Sequence, residues 1–241
     1  MTNKFYSAGA QRAAKVSDLF ATIATRYDLI NDLQSFGLHR VWKRRLVRVA
    51  AVNPAARALD LCCGTGDVAF ALARRGLDVT GLDFSEPMLA VAGKRAASAA
   101  GPASRVRFLL GDAQQIPFPD ASFDVVTVSY GLRNLASLET GLREMARVAR
   151  PGGRLFALDF GKPDNALWRA VYFAYLRRFV PLLGRWLCGD ADTHGYILES
   201  LLHYPAQEGV ASLMREMGLH DVRIVNLLGG IMSINHAERP R

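Results

Sequence analysis

The chain has 241 residues, half of them hydrophobic, with 30 Lys and Arg against 22 Asp and Glu and a formal net charge of +8. That is enough length and apolar content for one large α/β domain with an insertion. It excludes a disulfide framework and a zinc site, because the three cysteines are the adjacent Cys62 and Cys63 and the distant Cys188, with no ligand spacing around them. Reduced thiols of a cytosolic protein are expected. No run of eighteen apolar residues exists and the first ten residues carry no apolar stretch, so neither a bilayer span nor a secretory leader is expected.

Residues 8–51 precede the first strand and read as helices. Within them, residues 39–51 form a basic amphipathic pattern. At about 100° per residue Val41, Trp42, Leu46, Val49 and Ala50 share one face, with Arg40, Lys43, Arg44 and Arg48 opposite. Such a helix rests on anionic lipid, or it is an ordinary surface helix with a solvated charged face. Residues 57–160 alternate: strand 57–62, helix 67–75, strand 77–83, helix 86–99, strand 105–110, strand 123–130, helix 137–149, strand 153–160. Pro151-Gly152-Gly153 is a turn between the last two. The alternation predicts a parallel, doubly wound sheet with ligands at the strand C-termini. Residues 164–204 are an aromatic-rich insertion. Its opening, 166–176, is apolar on every side except Arg169, so a helix there is buried or touches lipid. Residues 206–217 read as a helix, and 220–226 and 230–237 as a closing antiparallel pair. The whole chain, 1–241, is expected to be a single domain. It comprises a helical lid (8–51), a nucleotide-binding core (57–160), a helical insertion (164–204) and a closing helix with antiparallel strands (206–237).

The stretch Leu59-Asp60-Leu61-Cys62-Cys63-Gly64-Thr65-Gly66-Asp67 puts a glycine turn between a strand and a helix. Gly64 and Gly66 allow a tight turn with no Cβ between backbone and ligand. The helix beyond presents free N–H groups to an anionic group. Taken alone, the turn also fits an NAD fingerprint. Asp83 ends the second strand, nineteen residues after Gly64, where an acid bonds ribose hydroxyls in NAD and S-adenosylmethionine (SAM) enzymes alike. Asp112, with Ala113, follows the third strand, where an acid receives the adenine amino group. A helix cap or a turn explains each acid singly. The ordered set of three strand ends favours SAM over NAD.

Three further strings carry a family resemblance. They are Arg26-Tyr27-Asp28-Leu29-Ile30-Asn31-Asp32 with residues 35–43, then Tyr130-Gly131-Leu132-Arg133-Asn134, then residues 190–200 ahead of Tyr204-Pro205. Over residues 16–237 the chain resembles the ubiquinone/menaquinone biosynthesis C-methyltransferases. The resemblance implies a Rossmann-like class I SAM-dependent methyltransferase fold, α/β, with a mostly parallel seven-stranded sheet, a helical lid and a helical insertion. It implies cofactor contacts at Thr65, Asp83, Asp112, Ala113 and Ser129, to which the glycine turn adds Asp60, Gly64 and Gly66; no metal is expected. Cys62 departs from the general methyltransferase pattern, where glycine is common, and Gly195 stands where relatives often carry a larger residue.

The resemblance further implies methyl transfer to a ring carbon of a prenylated hydroquinone. The Cys62-Cys63 turn and the strand end at residues 81–85 resemble menaquinone-only members, which points to demethylmenaquinol ahead of the methoxy-polyprenyl-benzoquinol of ubiquinone synthesis. Such a carbon becomes nucleophilic as its ortho hydroxyl, with a phenol-like pKa of about 10, loses a proton. Arg133 is the expected electrostatic anchor for the developing phenolate; its other reading is a structural salt bridge. Arginine stays protonated, so the proton leaves through water or a neighbour. Tyr130 and Asn134, then His194 and Asp192, are candidates for orienting the ring. A polyprenyl tail would occupy an apolar groove whose mouth is formed by the basic helix and residues 166–186, in peripheral contact with the cytoplasmic face of the membrane. The competing readings are a methyltransferase of another small hydrophobic acceptor and a nucleic-acid enzyme. Against nucleic acid, the basic residues are not interleaved with exposed aromatics.

Overall fold

Four of the five residues of β1 (Arg57–Leu61) are buried, and a strand buried on both faces needs helices on both. The computed structural model describes residues 3–6, 11–50, 53–190 and 192–241, with the side chains of Cys188 and His194 outside the described set. β1 pairs in parallel with β2 (Asp78–Asp83) and β4 (Phe123–Ser129). β3 (Arg107–Leu110) and β5 (Ala149–Phe160) extend the parallel sheet at its two sides. β7 (Met232–Glu238) and β6 (His220–Leu227) then close it as antiparallel strands. The order is β3-β2-β1-β4-β5-β7-β6. Strand order reverses between β1 and β4, so the crevice outside their C-terminal ends is where such a sheet takes ligands.

Alternation along the strands divides the core. Ala58 and Val125 belong to one apolar layer with α3 (Leu38–Ala50) and α4 (Asp67–Ala73). Leu59, Leu61, Val126 and Val128 face the other, with α6 (Leu138–Val148) and α9 (Ala206–Glu216). α6 shows how locally the sequence acts. Ser137 caps it by accepting from the Thr140 N–H at 3.1 Å, worth about 1 kcal/mol. Leu142, Met145 and Val148 then fall on one buried stripe.

The expected strand 153–160 starts earlier, at Ala149. Phe123 pairs with Ala149 and Val125 with Arg154, so the chain between loops out and rejoins the same ladder. Gly152, at φ +74°, makes that excursion. The expected Pro-Gly-Gly turn is therefore an interruption within one strand.

Ahead of the sheet come α1 (Arg12–Ile23), a 3-10 turn (Ala24–Arg26) and α2 (Tyr27–Ser35). Phe36 (φ +51°) and Gly37 (φ +73°) are both left-handed and turn the chain sharply into α3. The inward stripe of α3 differs from the expected one. His39, Trp42, Lys43, Leu46, Val47 and Ala50 are buried, whereas Val41 is 47% exposed beside the arginines. The period is the expected one and the phase is shifted. Lys43 lies inward because its stem runs along apolar surface while its ammonium meets an aspartate.

The insertion forms two helices, α7 (Ala166–Cys188) and α8 (Asp192–His203). α7 is not apolar core throughout. Tyr172, Leu176 and Val180 are buried, while Leu167, Val171, Leu182 and Trp186 are exposed. Among the described residues no helix is long and apolar enough to cross a membrane.

Leu46 is fully buried where α3 meets α4 and β5. Leu46→Ala should cost about 2–5 kcal/mol by lost transfer energy plus a cavity. Urea denaturation checks it; a cost under about 1 kcal/mol would mean the lid is not packed on the sheet as described.

Candidate active site

The turn after β1 uses three left-handed residues in five, Cys62 (φ +51°), Gly64 (φ +53°) and Gly66 (φ +88°). At Gly66 a Cβ would lie 2.7 Å from the Phe70 ring and 2.8 Å from that of Phe108, so glycine is required by packing as well as by φ. Gly64 is different: a Cβ there would meet nothing within 4 Å, because its backbone borders a cavity of about 40 Å³. Asp83, Ser129, Cys62, Tyr27 and Phe20 also wall that cavity. The Asp83 carboxylate accepts from the Gly64 N–H at 2.8 Å and the Ser85 N–H at 2.9 Å. Burial raises its pKa against those two donors.

The other expected cofactor residues stand apart from this cavity. Asp60 is fully buried beneath the turn, takes the Thr127 hydroxyl at 2.7 Å, and is pushed up by burial to about 7. Thr65 is buried and donates to Asp28 at 3.1 Å. Asp112 is exposed and accepts from the Gln114 N–H at 2.8 Å; Ala113 beside it is buried.

An ionic network ties the lid to the turn. Asp67, the first residue of α4, accepts from Lys43 of α3 at 2.9 Å and from Arg95 of α5 (Glu86–Ala97) at 2.6 Å. Arg95 also reaches Asp28 of α2 at 3.1 Å and the Thr65 carbonyl at 3.0 Å. The two cations hold the Asp67 pKa down at about 2. Asp28 and Lys43 lie inside the quoted N-terminal string, but placing Lys43 on the polar face of its helix hid its inward partner. Nothing local in the sequence marks Arg95.

After β4 the chain turns at Tyr130, itself left-handed at φ +60°. Arg133 and Asn134 are buried just beyond it. The Arg133 guanidinium donates to the Tyr130 carbonyl at 3.1 Å and to Asn134 Oδ1 at 2.9 Å. Its Nε stands 3.7 Å from the carboxylate of Asp159, an ion pair too long for a hydrogen bond. The guanidinium lies over the Phe160 ring, 4.8 Å from its centre. Tyr196 donates to Asn134 Oδ1 at 3.1 Å. The Arg12 guanidinium bonds the carbonyls of Arg133 and Asn134. Asp159 was missed in the sequence, although it stands one residue before the end of β5. Asp192 lies apart from this junction, where its carbonyl receives the Asn3 amide; the His194 side chain is outside the described residues.

Tyr130 borders three spaces. One is the cavity over Gly64. The second, about 40 Å³, is lined by Arg133, Tyr27 and Tyr196. The third, about 250 Å³, is walled by apolar and aromatic side chains of α2, α3 and α7, Phe36, Trp42, Tyr172 and Tyr175 among them. The bare backbone at Gly64, and an Asp83 carboxylate with lone pairs beyond its two N–H bonds, suit the hydroxyls of a ribose.

Sheet order, helical layers and the glycine turn at the β1–β4 switch define a class I SAM methyltransferase fold. A SAM-dependent methyltransferase from Thermotoga maritima superposes with a TM-score of 0.67 at 18% identity, covering 92% of this chain and 99% of that one. Residues 8–239 match the ubiE/COQ5 methyltransferase family, and the chain belongs to that family. The ubiquinone/menaquinone biosynthesis C-methyltransferase UbiE of Azotobacter vinelandii is 42% identical over 96% of this chain and 92% of its own. The demethylmenaquinone methyltransferase of Desulfitobacterium hafniense is 39% identical over 97% and 93%.

Asp67→Asn removes the common partner of Lys43 and Arg95. Because the folded pKa lies below the unfolded one, this carboxylate contributes stability above about pH 4 and loses it as pH falls toward 2. The variant should be about 2 kcal/mol less stable at pH 7, and the gap should shrink between pH 4 and 2. Urea denaturation across pH checks both; a gap independent of pH would mean another interaction is responsible.

Proposed function

We propose that this chain methylates a ring carbon of a prenylated hydroquinone, demethylmenaquinol first and the methoxy-polyprenyl-benzoquinol of ubiquinone synthesis second. The observation that carries the reading is the meeting, at Tyr130, of a cavity edged by Asp83 and Gly64 with a larger apolar one. Both substrates are kept because the relatives' names include both quinones. SAM supplies an activated methyl on a sulfonium, so the protein's task is alignment and exclusion of water. Asp83 would hold the ribose. Gly64, Gly66, Thr65 and Ser129 would hold the amino-acid end, with Asp112 and Ala113 at the adenine and Asp60 stiffening the turn from below.

Arg133 would stabilise negative charge on the quinol oxygen as the carbon attacks. Its ion pair with Asp159 and its bonds to Tyr130 and Asn134 leave the guanidinium little freedom, and preorganised donors stabilise developing charge best. The salt-bridge reading and the catalytic reading thus describe one side chain: Asp159, Asn134 and Tyr130 aim it. The aromatic cavity of about 250 Å³ would take the head of the isoprenoid tail.

The tail itself resides in lipid. Phe36 and Val171 line that cavity and are exposed, Leu33 and Leu182 are exposed on α2 and α7, and Arg40, Arg44, Arg45 and Arg48 are exposed along α3. Apolar side chains rimmed by arginine suit the interface of an anionic bilayer. We therefore place the protein in peripheral contact with the cytoplasmic face of the membrane.

Two experiments test this reading. Purified protein with SAM and reduced demethylmenaquinone should form the methylated quinol. Turnover should fall from wild type to Arg133→Lys to Arg133→Leu, the last by about 10²–10³-fold, with SAM affinity nearly constant by calorimetry. Wild-type turnover in the leucine variant refutes the anchor, and no methylation of either quinol by wild type refutes the substrate. For the membrane, the parent should float with phosphatidylglycerol vesicles at low salt and Arg44→Glu with Arg48→Glu should not; equal flotation removes the lipid contact.

A further inference from the structure

Methylating a hydroquinone carbon releases one proton, and an arginine cannot take it. The large apolar cavity holds a group that can. His39 on α3 lines it and is only 2% exposed. Its Nε2 lies 2.8 Å from Asp32 Oδ1. Asp32 is clamped by Arg40, whose Nε and terminal nitrogen donate to its two oxygens at 2.6 Å each. The clamp holds the Asp32 pKa at about 2, so it is a carboxylate at neutral pH. A carboxylate at Nε2 fixes the proton there and leaves Nδ1 with a free lone pair. Among the described residues Nδ1 has no hydrogen-bond partner. A buried imidazole nitrogen with no protein partner among the described residues, on a side chain that lines a cavity, is costly to keep unless a ligand reaches it.

We propose that His39 is the general base of the reaction, taking the quinol hydroxyl proton at Nδ1, with Asp32 and Arg40 as positioning residues. The proposal rests on the quinol reading above. At the transfer step the quinol O–H bond breaks and an N–H bond forms at Nδ1. The electron density left on oxygen lets the ring carbon form its bond to the donated methyl, while the C–S bond breaks with its pair kept on sulfur. The ring C–H proton then leaves to water as His39 returns its proton to oxygen. The aromatic quinol is restored with one net proton released. The charged groups around His39 suit the role. Burial lowers its pKa, Asp32 and Asp67 work against that and Lys43 with it, and the net direction is down. The imidazole is therefore neutral and able to accept at physiological pH.

The test uses the intact protein, reduced demethylmenaquinone and SAM over pH 5–9, comparing wild type with His39→Gln, His39→Ala and Asp32→Asn. In both His39 variants kcat should drop about 10²-fold or more, with quinol KM and SAM affinity within about twofold. The acidic limb of the wild-type pH profile should vanish, and added imidazole should restore the alanine variant at least tenfold. Asp32→Asn should keep the limb but move it to lower pH, since it removes a charge that raises the His39 pKa. NMR of the imidazole-labelled protein alone should show a proton on Nε2 and none on Nδ1 at pH 8. The opposite tautomer, a retained acidic limb in the glutamine variant, or a loss that imidazole does not restore in a folded alanine variant would each overturn the proposal. If the alanine variant fails to bind SAM, the glutamine profile and the tautomer decide. Wild type that methylates no quinol at all would instead refute the substrate reading, leaving the tautomer result to stand by itself.

Discussion

Asp67 accepts from two cations that reach it from different directions, Lys43 out of the lid and Arg95 out of α5. Ion pairs of this burial are weak evidence for net stability, because desolvation cancels much of their attraction. They are strong constraints on geometry, since removing one partner leaves a charge stranded. Here the constraint sets where α2 and α3 sit over the glycine turn. Phe20 and Tyr27 consequently roof the cavity above Gly64, and the Lys43 ammonium stands 5.8 Å from the centre of the Tyr130 ring. His39 lies one turn before Lys43 on the same inward stripe, so the register that brings Lys43 to Asp67 also brings His39 to the apolar cavity.

The second fixed point borders the smaller cavity lined by Tyr27 and Tyr196, which shares Tyr130 with the apolar one. Arg133 is held by Asp159 from the end of β5, by Asn134 beside it and by the Tyr130 carbonyl. These partners come from two neighbouring strand ends, which the parallel register of β4 and β5 aligns. A group built on strand ends is positioned by the sheet and moves with it, whereas the lid residues are positioned by side-chain ion pairs. The proposed anchor thus belongs to the half of the site built on strand ends, and the proposed base to the lid that the ionic network holds over the glycine turn.

The sheet was legible in the sequence because β1, β2 and β4 are largely apolar, β2 ends on Asp83, and glycines follow β1 and β4 at Gly64 and Gly131. Helix positions followed from the same alternation, with boundaries shifted by no more than two residues. What could not be read was phase and partner. The face of α3 was misjudged at Val41 and Lys43, since a lysine in an amphipathic pattern is assigned to solvent unless its counter-ion is known, and Asp67 is 24 residues away. Pro151-Gly152-Gly153 announces a turn, but nothing local says that the chain rejoins the same strand. Asp83 stood out because of its spacing from the glycine turn. Asp159 had no such ruler, and only pairing between strands shows that it faces Arg133.

Cys62 shows how a departure from a pattern is absorbed by its neighbours. A Cβ on Gly131 would lie 2.6 Å from the Cys62 Cβ and 2.7 Å from its sulfur, so the thiol occupies the space a larger residue at 131 would need. Cys62 also takes a left-handed conformation that costs a side-chain-bearing residue of order 1 kcal/mol or more. Burial raises the thiol pKa well above its usual range, with the Asp83 charge acting in the same direction, so it stays a neutral, apolar wall of the cavity over Gly64. A neutral wall there leaves Asp83 as the anionic group on the turn side of that cavity, and the adjoining Tyr130 faces the apolar space beyond. The two ends of the site thereby differ in polarity over the width of one residue. On the proposed reading a donor with a ribose would take one end and an acceptor with a greasy tail the other, with Tyr130 as the wall they would share.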